Sequence, residues 1–189
     1  MTRLAVLGST RGTNLNALVA AIKQQRLALT IELVLSNKAQ AGILEKASHF
    51  GLKSVFVNPK DLSREEFDRH LSAILQQHRI DLIVLIGYMR ILSAPFVSAW
   101  KNKIINIHPS LLPAYAGLMN LDVHQAVLDA AETETGCTVH FVTEEVDAGP
   151  LILQKRCAVL KNDTPELLKE RVQQLEGEAL VEAIKNLTT

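Results

Sequence analysis

Cysteine is scarce in this 189-residue chain, which holds only Cys137 and Cys157. Two cysteines make no disulfide framework, and without a CxxC pair they suggest no metal site. Both lie in largely apolar surroundings and read as buried strand residues of a protein kept in a reducing compartment. An excess of charge is missing as well. Lys+Arg and Asp+Glu number 20 each, so the formal net charge is zero. No basic field is available to recruit nucleic acid, and no polybasic run marks a membrane surface. No window reaches the ~18 consecutive apolar residues of a membrane helix. The apolar run at 4–7 is too short for the core of a signal peptide with its cleavage site. These absences predict a soluble cytoplasmic protein with small-molecule substrates and neither a nucleic-acid nor a membrane partner.

Two glycine signatures are also missing. In Gly8-Ser9-Thr10-Arg11-Gly12-Thr13-Asn14 the glycines stand four apart, so the loop is not GxGxxG. No Gly-Lys-Ser/Thr ends it, so it is not a P-loop. It still lies between a first strand and a first helix, where backbone N–H groups and the helix dipole converge on anions. The loop therefore argues against a dinucleotide and leaves room for a monophosphate. Read blandly, it is a turn and a helix cap.

What is present is an ordinary globular mix, 48% hydrophobic and 21% charged, of a length that suits one domain over residues 1–189. Apolar runs at 4–7, 31–35, 54–57, 82–86 and 104–107 read as strands, and the continuous run at 82–86 suits a strand covered on both faces. Helical patterns separate them. Thr13 or Asn14 caps the first, which carries Leu15, Leu18, Val19 and Ile22. The second spans 41–50 and closes at Gly51. Ser63 and Glu66 form a capping box for the third, which buries Phe67, Leu71, Ile74 and Leu75. Ser93, with Pro95 just inside, starts a short helix through 100. Asp122 or the residue before it opens another through 131, and Thr164-Pro165 opens the last, which runs to about 187. Runs at 138–142 and 151–160 read as strands with no helix between them. The pattern predicts a doubly wound, mostly parallel α/β sheet with an antiparallel edge.

One stretch carries chemistry, Ile104-Ile105-Asn106-Ile107-His108-Pro109-Ser110-Leu111-Leu112-Pro113. Residues two apart on a strand share a face, so Asn106 and His108 project together. Pro109 has no N–H for a ladder and ends the strand. An amide and a titratable ring thus stand at a strand's C-terminal end, where open α/β sheets bind ligands. Such a pair suits carbonyl chemistry: the amide holds an oxygen and the imidazole moves a proton.

Taken together, these motifs resemble the glycinamide ribonucleotide formyltransferases, the folate-dependent transformylases of purine synthesis, nearly end to end. The matching segments are Gly12-Thr13-Asn14-Leu15, Ser36-Asn37, Gly87-Tyr88-Met89-Arg90-Ile91-Leu92, the Asn106–Pro113 run with Gly117, Gly136-x-Thr138-Val139-His140 and Asp147-Ala148-Gly149-Pro150-Leu151-Ile152-x-Gln154. The resemblance implies a Rossmann-like formyltransferase fold and transfer of a formyl group from 10-formyltetrahydrofolate to the glycine amine of 5′-phosphoribosylglycinamide, with no metal. It implies that Asn106 and His108 hold the developing oxyanion, that His108 donates a proton, and that Asp147 raises the His108 pKa and helps relay a proton. Gly12, Thr13, Asn14 and Glu176 would hold the ribonucleotide. Met89, Arg90, Ile91 and Leu92 would line a pterin slot, with Asn106 beside it, Thr143, Glu144 and Val146 on its other wall and Arg64 near the folate tail. A cis Leu112–Pro113 bond and a monomer or weak homodimer are expected.

The same comparison marks departures. An insertion surrounds Met119–His124, Ala116 precedes Gly117 where proline is usual, and Gly177 follows Glu176 where histidine is usual. His140 reads as sheet support, His49, His70 and His78 as helix-surface residues, and His124 has no assigned place. Two competing readings stay open. One is a formyltransferase for another amine, such as an amino sugar. The other is a silent folate- or nucleotide-binding module.

Overall fold

The computed structural model describes residues 1–188. Seven strands form one sheet: β1 (Thr2–Leu7), β2 (Leu29–Ser36), β3 (Ser54–Phe56), β4 (Leu82–Leu85), β5 (Ile104–His108), β6 (Glu134–Phe141) and β7 (Leu151–Ala158). Their order is β3-β2-β1-β4-β5-β6-β7. The first five run parallel, and β6 and β7 pair antiparallel, as expected of strands not joined through a helix. Six helices cover the sheet: α1 (Asn14–Lys23), α2 (Gly42–His49), α3 (Arg64–Gln77), α4 (Ala94–Ala99), α5 (Leu121–Asp129) and α6 (Pro165–Thr188).

The strand alternation sorts the core into two layers. Leu4, Val6, Val34, Val84 and Ile105 face one side with α1 and α6, where Leu15, Leu18, Leu180 and Ile184 are fully buried. Ala5, Leu7, Leu35, Ile83 and Ile104 face the other side, against Phe67, Leu71 and Leu75 of α3, Phe96 of α4 and Trp100 just past its end. Both faces of β1 and β4 are therefore dry, which is why these strands read as unbroken apolar runs. The crevice opens where the order turns, at the carboxyl ends of β1, β4 and β5.

The Ser63 capping box forms as its sequence predicts: Ser63 Oγ accepts from Glu66 N–H, and Glu66 Oε2 accepts from Ser63 N–H at 2.8 Å. The first helix corrects the sequence reading. Thr13 has helical φ/ψ and caps nothing with its side chain, and Asn14, the first helical residue, turns its amide elsewhere. β7 stops at Ala158 rather than 160, and β6 begins at Glu134 rather than 138. Cys137 is buried on β6, but Cys157, expected to be buried, is only half-buried on the edge strand β7. No helix among the described residues is long and apolar enough to cross a membrane.

Candidate active site

Asn106 and His108 lie two apart on β5 and share a face. The antiparallel partner β6 sets His140 opposite Asn106 and Thr138 opposite His108. Residues 108–113 leave the strand and are pinned from β6 and β7. Thr138 Oγ donates to Ser110 O at 2.6 Å and accepts from Leu112 N–H, and Gln154 Nε2 donates to Leu112 O and to Thr138 Oγ. The Leu112–Pro113 bond is cis.

Asp147 completes the cluster from the β6–β7 loop. It sits at φ 55°, in the left-handed region that Asp tolerates better than most residues. Two residues on, Gly149 has no alternative, since a Cβ there would lie 1.8 Å from Phe141 O. This turn delivers Asp147 Oδ2 to 3.2 Å from His108 Nδ1 and to the Gly117 N–H at 2.9 Å. Asp147 Oδ1 stands 3.6 Å from His140 Nε2, which is 3.3 Å from Asn106 Nδ2. His140 Nδ1 faces the Phe141 carbonyl at 2.9 Å, a group that only accepts, so that nitrogen carries a proton. The neutral ring then takes a hydrogen from Asn106, and a charged ring donates to Asp147. His140 is thus part of the site and not merely sheet support. The signal for it was the β5–β6 register, which no local pattern specifies.

Burial is the largest influence on His108, which is 4% exposed, and holds its pKa below the usual value. Asp147 and the Tyr115 carbonyl, 3.2 Å from Nε2, push upward without prevailing. The expectation that Asp147 raises this pKa therefore holds for its contribution and fails for the sum. Burial also works to raise the Asp147 pKa, but His140, the Gly117 N–H and His108 together outweigh it and keep the carboxyl below its usual range. Beside the ionised carboxylate stands an imidazole whose two nitrogens both face acceptors, so a neutral ring can donate to only one of them.

A cavity of about 970 Å³ runs through this cluster and is lined at one end by Thr13, Asn14 and Glu176 and at the other by Met89–Leu92 and Thr143–Val146. At the first end Gly12 turns at φ 64° against Ile43, so close that a Cβ would lie 2.3 Å from Ile43 Cγ1. No protein group among the described residues accepts from the backbone N–H of Gly12, Thr13 or Asn14. With the positive end of α1 behind them, these donors suit an anion. Asn14 Nδ2 donates to Glu176 Oε2 at 2.8 Å. Gly177 allows that contact, because a Cβ there would lie 2.9 Å from Ala17 Cβ and would part α6 from α1. Burial pushes the Glu176 pKa up to about 6, against Asn14 and Lys169.

At the other end, Ile91 and Val146 expose apolar side chains beside buried Leu92. No protein group pairs with the backbone of Arg90, Ile91 or Leu92 among the described residues. The structure brings every sequence-predicted residue to this cavity except two. Gly12 shapes the loop behind the lining. Arg64, the first residue of α3, is exposed and does not line the cavity. Sequence reasoning missed Lys169, which lines the cavity, and left His124 unplaced; His124 is 1% exposed and also on the wall. Among the described residues no group of three or more His, Cys, Asp or Glu side chains is arranged to hold a metal ion.

An amide beside a buried carboxylate–imidazole couple, in one cavity at the carboxyl ends of a doubly wound sheet, is the makeup of an enzyme site of the open α/β class. The chain belongs to the formyl transferase family, whose model matches residues 2–184. Over 171 residues it is 41% identical to the phosphoribosylglycinamide formyltransferase of Escherichia coli, which covers 90% of this chain and 79% of that protein. The crystal structure of glycinamide ribonucleotide transformylase 1 from Symbiobacterium toebii superposes with a TM-score of 0.93 at 41% identity, over 98% of this chain and 86% of that one. The chain is also 46% identical over 184 residues to the trifunctional purine biosynthetic protein adenosine-3 of Gallus gallus, covering 97% of this chain and only 18% of that protein.

Proposed function

We propose that this protein transfers the formyl group of 10-formyltetrahydrofolate to the glycine amine of 5′-phosphoribosylglycinamide, a step of purine synthesis. The observation that carries the reading is one cavity lined by Asn106, His108 and Asp147, by the Thr13–Asn14 loop with its unpaired N–H groups and by the unpaired backbone of Arg90–Leu92. The N–H groups of Gly12, Thr13 and Asn14 take the substrate phosphate, and Glu176 reaches its ribose or glycinamide part. The backbone of Arg90–Leu92 reads the polar edge of the pterin, whose flat faces lie between Ile91, Leu92 and Val146. An apolar slot with a few fixed polar groups is the usual makeup of such a site.

As the amine attacks the formyl carbon, the carbonyl electrons move onto the formyl oxygen. Asn106 has a second amide hydrogen for that oxygen, and His108 Nε2 turns to it from the Tyr115 carbonyl. The growing negative charge adds to Asp147 in favouring a proton on the ring. When the carbon–N10 bond breaks, N10 gains a proton and the former amine loses one. Asp147 takes the amine's proton through water and passes it to His108, and His108 delivers a proton to N10, so the carboxylate and the ring end in the states in which they began. Each oxyanion donor in such sites is worth about 10²–10³ in kcat.

A spectroscopic turnover assay with 10-formyl-5,8-dideazafolate tests the reading. Deformylation that requires the ribonucleotide supports it. Formate release without the ribonucleotide would make the protein a hydrolase, and turnover only with an amino sugar would change the acceptor.

A further inference from the structure

Five buried side-chain polar atoms lack a partner among the described residues, and four of them sit on one group of residues behind the slot: Asp68 Oδ1, Tyr88 OH, Arg90 Nε and Ser93 Oγ. Asp68, on α3, is 1% exposed, and its Oδ2 accepts the Ser93 N–H at 2.6 Å. Ser93 stands at the N-cap position of α4 without a side-chain capping bond and directly follows the slot residues Arg90, Ile91 and Leu92. Tyr88 and Arg90 belong to the same loop. Burial, and then the Asp68 carboxylate facing it, push the phenol well above its ordinary value, with Arg90 opposing. The Arg90 guanidinium stacks 4.4 Å over the ring of Phe67, the neighbour of Asp68 on α3. The other end of the loop is tied differently: Met89 N–H donates to Ser9 Oγ at 2.9 Å, and Ser9 Oγ donates to Asn37 Oδ1 at 2.6 Å.

A carboxylate is costly to bury without full pairing. This one has a single hydrogen bond, and that bond is to the backbone where the slot loop ends. We propose that Asp68 is a positioning residue for the donor slot: through the Ser93 N–H it fixes where the unpaired backbone of Arg90–Leu92 meets the folate ring. The assignment rests on the folate reading of that slot. Asp68 lies outside the anion loop and the Asn106–His108–Asp147 cluster, so its effect falls on one substrate. A charge-assisted bond of this kind is worth roughly tenfold or somewhat more in an equilibrium constant.

The experiment measures KM for both substrates and kcat in full-length Asp68→Ala, Asp68→Asn, Ser93→Pro and the Asp68→Ala/Ser93→Pro double variant. Proline fits the Ser93 φ of −74° while deleting the N–H. Asp68→Ala is expected to raise donor KM about tenfold, with ribonucleotide KM within about twofold of wild type. Asp68→Asn keeps an acceptor and restores most of the loss. The double variant is no worse than Asp68→Ala, because both remove one bond. Should Asp68→Ala fail to fold, Ser93→Pro against Asp68→Asn reads the same bond. Equal shifts in both KM values, unchanged donor KM in folded variants, or fully additive losses would overturn the proposal. Separately, calorimetry with wild type and the dideazafolate tests the reading beneath it. A wild type that binds no folate fails that reading itself, whereas a wild type that binds and variants that bind equally well fail only the role of Asp68.

Discussion

Two polar clusters border the same cavity, and they are built in opposite ways. Around β5, Asn106, His108, Thr138, His140 and Asp147 are tied to one another or to backbone within about one hydrogen-bond length. Behind the slot, Asp68, Tyr88, Arg90 and Ser93 are as well hidden but leave four polar atoms without partners. The first arrangement holds its groups in place before a ligand arrives, which is what the proposed oxyanion stabilisation requires. The second keeps a loop anchored at its ends and open along its backbone. A satisfied network lends precision, and an unsatisfied one carries buried polar atoms whose cost the rest of the fold must offset.

The sharpest test of the contrast is Asp147→Asn. Loss of the carboxylate is expected to lower kcat about 10²–10³-fold while the chain stays folded, because Asn still accepts from Gly117 N–H. A drop of less than about tenfold would show that the tight cluster is structural.

Next comes acid stability. Burial is the largest cause of the low His124 pKa of about 4, with Lys169 and His108 adding to it. The unfolded ring takes a proton near its ordinary 6.5, so stability is present above that value and is lost as pH falls toward 4. His108 and Asp147, both held low, act in the same direction. Glu176 acts in reverse: raised to about 6, it favours the folded state below about 4.5 and loses that contribution as pH rises through 6. His124→Gln is expected to flatten the fall in Tm between pH 6.5 and 4 by at most ~3 kcal/mol, read by thermal melts. A variant that melts with the wild-type slope would remove His124 from the account.

Two conservative changes compare the clusters atom for atom. Thr138→Val removes a hydroxyl with three partners and is expected to cost about 2 kcal/mol in denaturant unfolding. Tyr88→Phe removes a hydroxyl with none and is expected to be neutral or stabilising by up to ~1 kcal/mol. Equal losses in the two variants would mean that the clusters are not different in kind.

The parallel strands were legible because residues covered on both faces must be apolar throughout. The Ser63 cap was legible because a capping box is a local arrangement. Asn106 and His108 were found for the same reason, as strand periodicity puts them on one face. What failed was non-local. His140 joins the site only through the antiparallel β5–β6 register, and His124 is buried because α5 packs against α6. Asn14 meets Glu176 across 162 residues of chain, so its side chain was free to be read as a cap when its partner lies on another helix. Arg64 was carried to the folate tail by resemblance alone, and nothing in its surroundings places it on the cavity.

The central claim is that one preorganised cluster on β5 performs ribonucleotide-dependent formyl transfer. Its most direct test is single-turnover deformylation of the dideazafolate donor by wild type and His108→Ala, each with and without 5′-phosphoribosylglycinamide. The account predicts rapid loss of the formyl group only in wild type with the ribonucleotide, and a rate at least about 10²-fold lower in the variant. Equal rates in the two proteins, or a wild-type rate indifferent to the ribonucleotide, would contradict it.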